Sequence, residues 1–171
     1  MRKQLYTMNH IGITFPDIDA AFIWYRDVLG CFVLAEPADV LNDGSHFGNI
    51  VHNIFGDKWG QVKMAHLTTA CGVGIEMFQF VKPMTYTPEN TFEYHRTGIF
   101  HFCLTTSDID AAAELITKNG GKVLSKTWKL FNKEYRHVLY TQDPWGTIVE
   151  FFDAPYDQYF SNMEGVSFPP P

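Results

Sequence analysis

Alternating hydrophobic and polar positions predict a strand at the start of the chain, over residues 6–15. Apolar residues at helical spacing follow, with Asp17 or Asp19 as the helix cap and Gly30 as the terminator. Three further strands are predicted in this half, over residues 31–36, 61–69 and 73–81. The first half of the chain therefore has the predicted order β-α-β-β-β.

The second half repeats that order. A strand over residues 98–106 precedes a helix that Ser107 or Asp108 caps and that runs to Asn119. Three more strands are predicted, over residues 122–128, 135–142 and 146–152. The repeat predicts a single α+β domain over residues 1–171, made of tandem βαβββ modules at 6–81 and 98–153.

Three segments fall outside the two modules' predicted helices and strands. Residues 37–60 are rich in Gly, Asn and Asp, which predicts a loop that carries the extra length of the first module. Residues 82–97 are predicted to link the modules, and the chain beyond Ala154 ends in three prolines and is predicted to be irregular.

One sequence pattern occurs in both modules and begins each time with a histidine. His10 opens HIGITFPDIDAA and His101 opens HFCLTTSDIDAA, 91 residues later. Each copy is followed by an apolar strand that contains one acid, Glu76 in GVGIEMFQF and Glu150 in GTIVEFFD. Such strands are normally buried on both faces, where a carboxylate is costly unless it is paired, protonated or bound to a metal. The repetition therefore predicts one metal site that both modules build.

Composition narrows the functional class. A net charge of −6 argues against a general nucleic-acid binder, and no apolar run approaches the ~20 residues that a membrane span needs. The first residues lack the apolar stretch of a secretory signal, and the three cysteines have no CxxC spacing. We expect a cytoplasmic protein with reduced thiols. The other histidines have no partner in the repeat and are predicted to be surface or core residues, with a place in the pocket lining as the alternative for one of them: His46, His52, His66, His95 and His137.

The chain resembles the vicinal oxygen chelate superfamily, which includes glyoxalase I, methylmalonyl-CoA epimerase, the extradiol dioxygenases and the bleomycin-resistance proteins. The segments that carry this resemblance are HIGITFPDIDAAFIWYRDVLG, GIEMF, HFCLTTSDIDAA and YTQDPWGTIVEF. The resemblance implies a curved open barrel with helices outside and one divalent metal. It also implies that the ligands are His10, Glu76, His101 and Glu150.

The resemblance does not select one reaction. Glyoxalase I relatives usually carry Arg and Asn where this chain has Thr14 and Phe80, and methylmalonyl-CoA epimerases tend to have Gln where it has Glu76. Extradiol dioxygenases share the YxxDPxGxxxE pattern that ends at Glu150, but residues 131–133 lack the histidine of their signature.

The leading interpretation is a metal-dependent isomerase, epimerase or lyase that moves a proton next to a carbonyl, with Glu150 or Glu76 as the proton carrier. The ion would be Zn, Ni, Co, Mn or Mg. One alternative is an Fe(II) extradiol-type dioxygenase that uses His10, His101 and Glu150, and another is a non-catalytic protein that binds or sequesters a small molecule.

The expected partners are a small-molecule substrate and a second copy of the chain. The prediction of a homodimer depends on the aromatic content and on the apolar tail, which should cover either its own barrel or that of a partner. The tail residues concerned are Tyr156, Tyr159, Phe160 and Phe168.

Overall fold

The fold is mixed α and β, as the hydrophobic pattern predicts. A computed structural model describes residues 5–130 and 136–160. The elements, in chain order, are β1 His10–Thr14, α1 Ile18–Asp27, β2 Phe32–Leu41, α2 His46–Phe55, β3 Gln61–Thr68, β4 Gly74–Lys82, β5 Phe102–Thr105, α3 Ile109–Lys118, β6 Lys122–Val123, β7 Trp128–Lys129, β8 His137–Gln142, β9 Ile148–Phe152 and α4 Tyr156–Phe160. Among these helices, none is long and apolar enough to cross a membrane.

The chain divides into two compact units, residues 1–87 and 88–171. The boundary falls inside the predicted linker, residues 82–97. Positions 131–133, where the dioxygenase signature lacks its histidine, and Phe168 lie outside the described residues.

The two units share one sheet topology. In the first unit the strand order is β1-β4-β3-β2, and β1 runs parallel to β4 while the other pairs are antiparallel. In the second unit the order is β5-β9-β8-β6, with β5 parallel to β9 and β7 also paired with β8. In both units the strand that begins the repeat therefore lies beside the strand that carries the acid.

The repeated DID sequence starts the first helix of each unit in the same way. The Asp17 side chain accepts a hydrogen bond from the backbone N–H of Ala20, and the Asp108 side chain accepts one from Ala111. Of the alternative caps, the first aspartate of the motif is the one used. The first helix, α1, packs across β2, β3 and β4, and α3 packs across β6, β8 and β9.

Two helices lie where the sequence predicts loop or irregular chain. Residues 37–60 are not a loop, because β2 continues to Leu41 and α2 follows it, capped by Ser45. The segment after Ala154 is likewise not wholly irregular, because it forms α4. Both helices form through tertiary contacts with aromatic strand residues, which local composition does not reveal.

These two helices cover equivalent parts of their sheets. The first cluster joins Val51 of α2 to Met64, with Phe78 packed against it. The second joins Tyr159 of α4 to Val138 and Phe152. Met64 and Phe78 each precede their counterparts, Val138 and Phe152, by 74 residues, the same interval that separates Glu76 from Glu150. Each unit therefore has one helix on each face of its sheet.

Candidate metal and substrate site

The first unit brings His10 and Glu76 together. Gly12 of β1 is the register partner of Glu76, and His10 lies one pleat earlier, so both side chains project from the same face of the sheet. The Nε2 atom of His10 is 3.5 Å from Oε2 of Glu76. Glycine is required opposite His10, because a Cβ on Gly74 would lie 2.9 Å from the Cβ of His10.

The neighbouring Asn9 fixes the orientation of the His10 ring. Its Oδ1 atom is 2.7 Å from Nδ1 of His10 and, being a carbonyl oxygen, can only accept a hydrogen bond from it. With Nδ1 carrying the proton, Nε2 is the nitrogen with a free lone pair, and it is the nitrogen that faces Glu76. An acceptor on the second ring nitrogen is the usual support of a metal-binding histidine.

The second unit brings His101 and Glu150 together. The distance from Nε2 of His101 to Oε2 of Glu150 is 3.0 Å, and Glu150 is buried. Nδ1 of His101 is also buried and has no hydrogen-bond partner among the described residues. The rings of Phe100 and Tyr140 pack edge-on against His101, with centroids 5.2 and 5.3 Å away. Packing against aromatic rings therefore orients His101, whereas a hydrogen bond orients His10.

Two further side chains lie beside the Glu150 carboxylate. Cys103 and Tyr140 are its register partners on the two neighbouring strands, so both side chains project from the same face of the sheet as Glu150. Partial desolvation, followed by the negative charge of Glu150, raises the pKa of the Cys103 thiol to about 12. Desolvation and the neighbouring Glu150 carboxylate likewise raise the pKa of Tyr140 above its usual value. Both groups are protonated at neutral pH, and the Cys103 thiol donates to the backbone carbonyl of Leu104.

A pocket of about 170 Å³ opens beside the first pair. Its residues come from the first unit, and they are Asn9, His10, Leu34, His66, Leu67, Gly74, Ile75 and Glu76. His66 is predicted from sequence to be an ordinary surface or core histidine, but it is the register partner of Glu76 on β3. A signal for its position exists in the repeat, since His66 precedes Glu76 by ten residues and Tyr140 precedes Glu150 by ten.

The remaining histidines take part in local contacts elsewhere. His52 is 3.2 Å from Asp57, and His137 is 2.7 Å from Asp153. His95 packs against the ring of Tyr94, and His46 begins α2.

The two pairs consist of side chains that commonly ligate metals, at separations that a metal site would allow. Two neighbouring ligands with bonds of about 2.1 Å are about 3.0 Å apart in octahedral and about 3.4 Å apart in tetrahedral coordination. The observed separations are 3.5 Å and 3.0 Å. Imidazole and carboxylate together suit borderline divalent ions such as zinc. Among the described residues, no group of three or more His, Cys, Asp or Glu side chains is arranged to hold a metal ion.

Comparison with known proteins identifies relatives of the whole chain. The model of the Glyoxalase/Bleomycin resistance protein/Dioxygenase superfamily matches residues 7–151. A 2-epi-5-epi-valiolone epimerase from Actinomyces sp is 24% identical over 164 residues, which are 93% of this chain and 85% of that relative.

Solved structures show the same fold. A glyoxalase family protein from Bacillus cereus has a TM-score of 0.70 and 21% identity, and the match covers 88% of this chain and 95% of that one. Glyoxalase I from Zea mays has a TM-score of 0.59 and 19% identity, and that match covers 86% of this chain and 44% of the maize chain.

Proposed function

Because the chain belongs to the Glyoxalase/Bleomycin resistance protein/Dioxygenase superfamily, we propose that it is a metal-dependent enzyme that transfers a proton next to a carbonyl group. The reaction is an isomerisation or epimerisation, or a lyase reaction of the glyoxalase type that uses the same proton transfer. The observation that carries the proposal is the His–Glu pair in each unit, at equivalent positions of the repeat. The similarity to an epimerase supports the same class of reaction.

The proposed ligands are the two pairs together, His10 and Glu76 with His101 and Glu150. When bound, a divalent ion would supply a Lewis acid that stabilises the negative charge developing as the α-proton leaves. The chain contributes the ligand geometry, through Asn9 on His10 and through Tyr140 and Cys103 around Glu150. Held by these four side chains, such an ion would remain able to bind a substrate that chelates through two oxygens.

The two glutamates have different surroundings, which suggests a division of roles. The Glu76 side chain is 27% exposed and lines the pocket, whereas that of Glu150 is 9% exposed and lies between Cys103 and Tyr140 on the neighbouring strands. A proton carrier must reach the substrate and exchange its proton, while a permanent ligand benefits from a fixed position. We assign the proton transfer to Glu76 and the anchoring of the metal to Glu150.

Deuterium exchange tests this function. The purified protein, analysed for metal and loaded in turn with Zn, Ni, Co, Mn or Mg, is incubated in D₂O with 2-epi-5-epi-valiolone, α-hydroxy carbonyl compounds and 2-methylacyl thioesters. NMR should show deuterium at the α-carbon of at least one compound. Glu76→Gln should slow the exchange while the metal is retained, and Glu150→Ala should abolish it together with metal binding.

Oxygen consumption and metal content distinguish the two competing functions from the proposed one. Oxygen consumption with a catechol, without exchange on any carbonyl compound, would identify a dioxygenase. A protein that binds small molecules but holds no stoichiometric metal would be the non-catalytic binder.

We also propose that the protein is a homodimer. Within its own unit, α4 buries Tyr159 against Phe152, but Tyr156 remains 68% exposed. Burial of this ring by a second copy would remove its apolar surface from water. Sedimentation at micromolar concentration should give the mass of two chains, and a monomer would contradict the proposal.

A further inference from the structure

His66 lies where a bound substrate would meet the first unit. It is the register partner of Glu76, so its side chain projects from the same face of the sheet as the carboxylate. It also lines the pocket that His10 and Glu76 border, and it is half-buried there. A molecule held beside Glu76 in this pocket therefore lies within reach of the His66 ring.

The two units differ at this repeat position. Tyr140, the counterpart of His66, lies beside the Glu150 carboxylate, which contributes to raising the pKa of its hydroxyl. His66 has neither a hydrogen bond nor an ion pair with any of the described residues. A polar ring that lines a pocket without a protein partner has its donor and its acceptor available for a ligand. The second unit therefore places a phenol hydroxyl beside its carboxylate at this position, and the first unit places there an imidazole that borders a pocket.

We propose that His66 is a substrate-binding residue that hydrogen-bonds to a hydroxyl group on the carbon next to the reacting carbonyl. A neutral imidazole offers one donor and one acceptor, which matches a hydroxyl group, itself both donor and acceptor. Leu34 gives the same pocket an apolar wall, which limits the ligand to a small molecule with few polar groups to satisfy. The preferred substrates are thus small hydroxylated carbonyl compounds, an inference that rests on the proposed function.

Two hydroxamates that differ by one hydroxyl group test this contact without turnover. Acetohydroxamate and glycolohydroxamate chelate a metal through the same two oxygens, and only glycolohydroxamate has a hydroxyl on the adjacent carbon. We expect the cobalt-loaded full-length protein to bind glycolohydroxamate about tenfold more tightly, as the perturbed visible spectrum of the cobalt reports. The cost of one unmatched polar contact in a pocket is of this size.

Substitutions at His66 test whether its ring causes the tighter binding of glycolohydroxamate. His66→Leu should reduce the ratio of the two affinities to less than about twofold and leave acetohydroxamate affinity unchanged. His66→Gln, whose amide also donates and accepts, should retain part of the ratio and serves as the second variant if leucine impairs folding. His52→Leu, a histidine on α2 that pairs with Asp57, is the matched control and should leave the ratio unchanged.

The results separate this inference from the proposed function. Equal affinities in the parent protein, a ratio that survives His66→Leu, or no binding of either hydroxamate overturns the role of His66. A ratio that depends on His66, found in a protein that exchanges no α-proton, leaves the binding role in place and overturns the isomerase.

Discussion

Replacement of Asn9 by leucine tests whether the orientation of His10 matters for metal binding. The change removes the oxygen that accepts from Nδ1 of His10 at 2.7 Å, while the ring and Glu76 remain. Without this acceptor the imidazole is free to rotate about its χ angles and to carry its proton on Nε2 instead. Both changes take the lone pair of Nε2 away from the position that faces Glu76, so the affinity for the metal should fall.

The size of the effect follows from the contact itself. A hydrogen bond between neutral groups contributes about 1 kcal/mol, and confining the ring to one of two or three orientations contributes about 0.4–0.7 kcal/mol more. The total of about 1.5 kcal/mol corresponds to a dissociation constant for the metal that is roughly tenfold higher. That value lies at the lower end of the range for residues that support metal ligands, as expected for an exposed bond.

Competition with a chromophoric chelator measures this loss for zinc and cobalt. Asn9→Asp keeps an acceptor on the same atom and should bind metal at least as tightly as the parent protein. In metal-free protein, unfolding in urea should differ by less than about 0.5 kcal/mol between the parent and Asn9→Leu, because the side chain is exposed. Unchanged affinity in Asn9→Leu, or an equal loss in Asn9→Asp, would refute the argument that the hydrogen bond orients His10.

Three other changes probe the surroundings of the site. Gly74→Ala should weaken metal binding and lower the free energy of unfolding by about 1–3 kcal/mol, because its Cβ would meet that of His10 at 2.9 Å; chelator competition and urea unfolding at parent values would contradict this. Phe55→Ala should lower the free energy of unfolding by about 1–2 kcal/mol with metal affinity retained, since its ring packs 5.1 Å from that of Phe80 but is 40% exposed; stability equal to that of the parent would show that α2 is not held by this contact. Desolvation, the largest single effect, raises the pKa of Asp153, but hydrogen bonds from Tyr159 and His137 together lower it below 3.8. The contribution of this carboxylate to stability is therefore complete above pH 3.8 and is lost as the pH falls through the lower folded pKa. Between pH 5 and 2.5 the free energy of unfolding in urea should fall less steeply in Asp153→Asn than in the parent protein, and parallel curves would count against this contact.

Local pattern determined most of the architecture. Alternation identified the strands, and the repeated DID sequence located both helix starts, because strand pleating and helix capping depend on residues only a few positions apart. The two-module fold, confirmed by the structure and by the superfamily match, follows from this repetition. The positions of His10 and Glu76 within one unit could be inferred in the same way.

Contacts between distant residues decided what the sequence did not show. Residues 46–55 form α2 because Val51 and Phe55 pack against strand residues whose identity no local rule supplies. The same holds for α4, which forms over Val138 and Phe152.

The pocket, like α2 and α4, depends on contacts between residues that are distant in the sequence. His66 and Tyr140 have the same spacing from their acids, and strand pairing places each of them opposite a glutamate, but only His66 lies at the edge of the pocket of the first unit. Spacing along the chain fixes which side chains share a face of a sheet. Only the packed structure decides which of them retain an unfilled hydrogen bond, because that depends on every neighbour that competes for it.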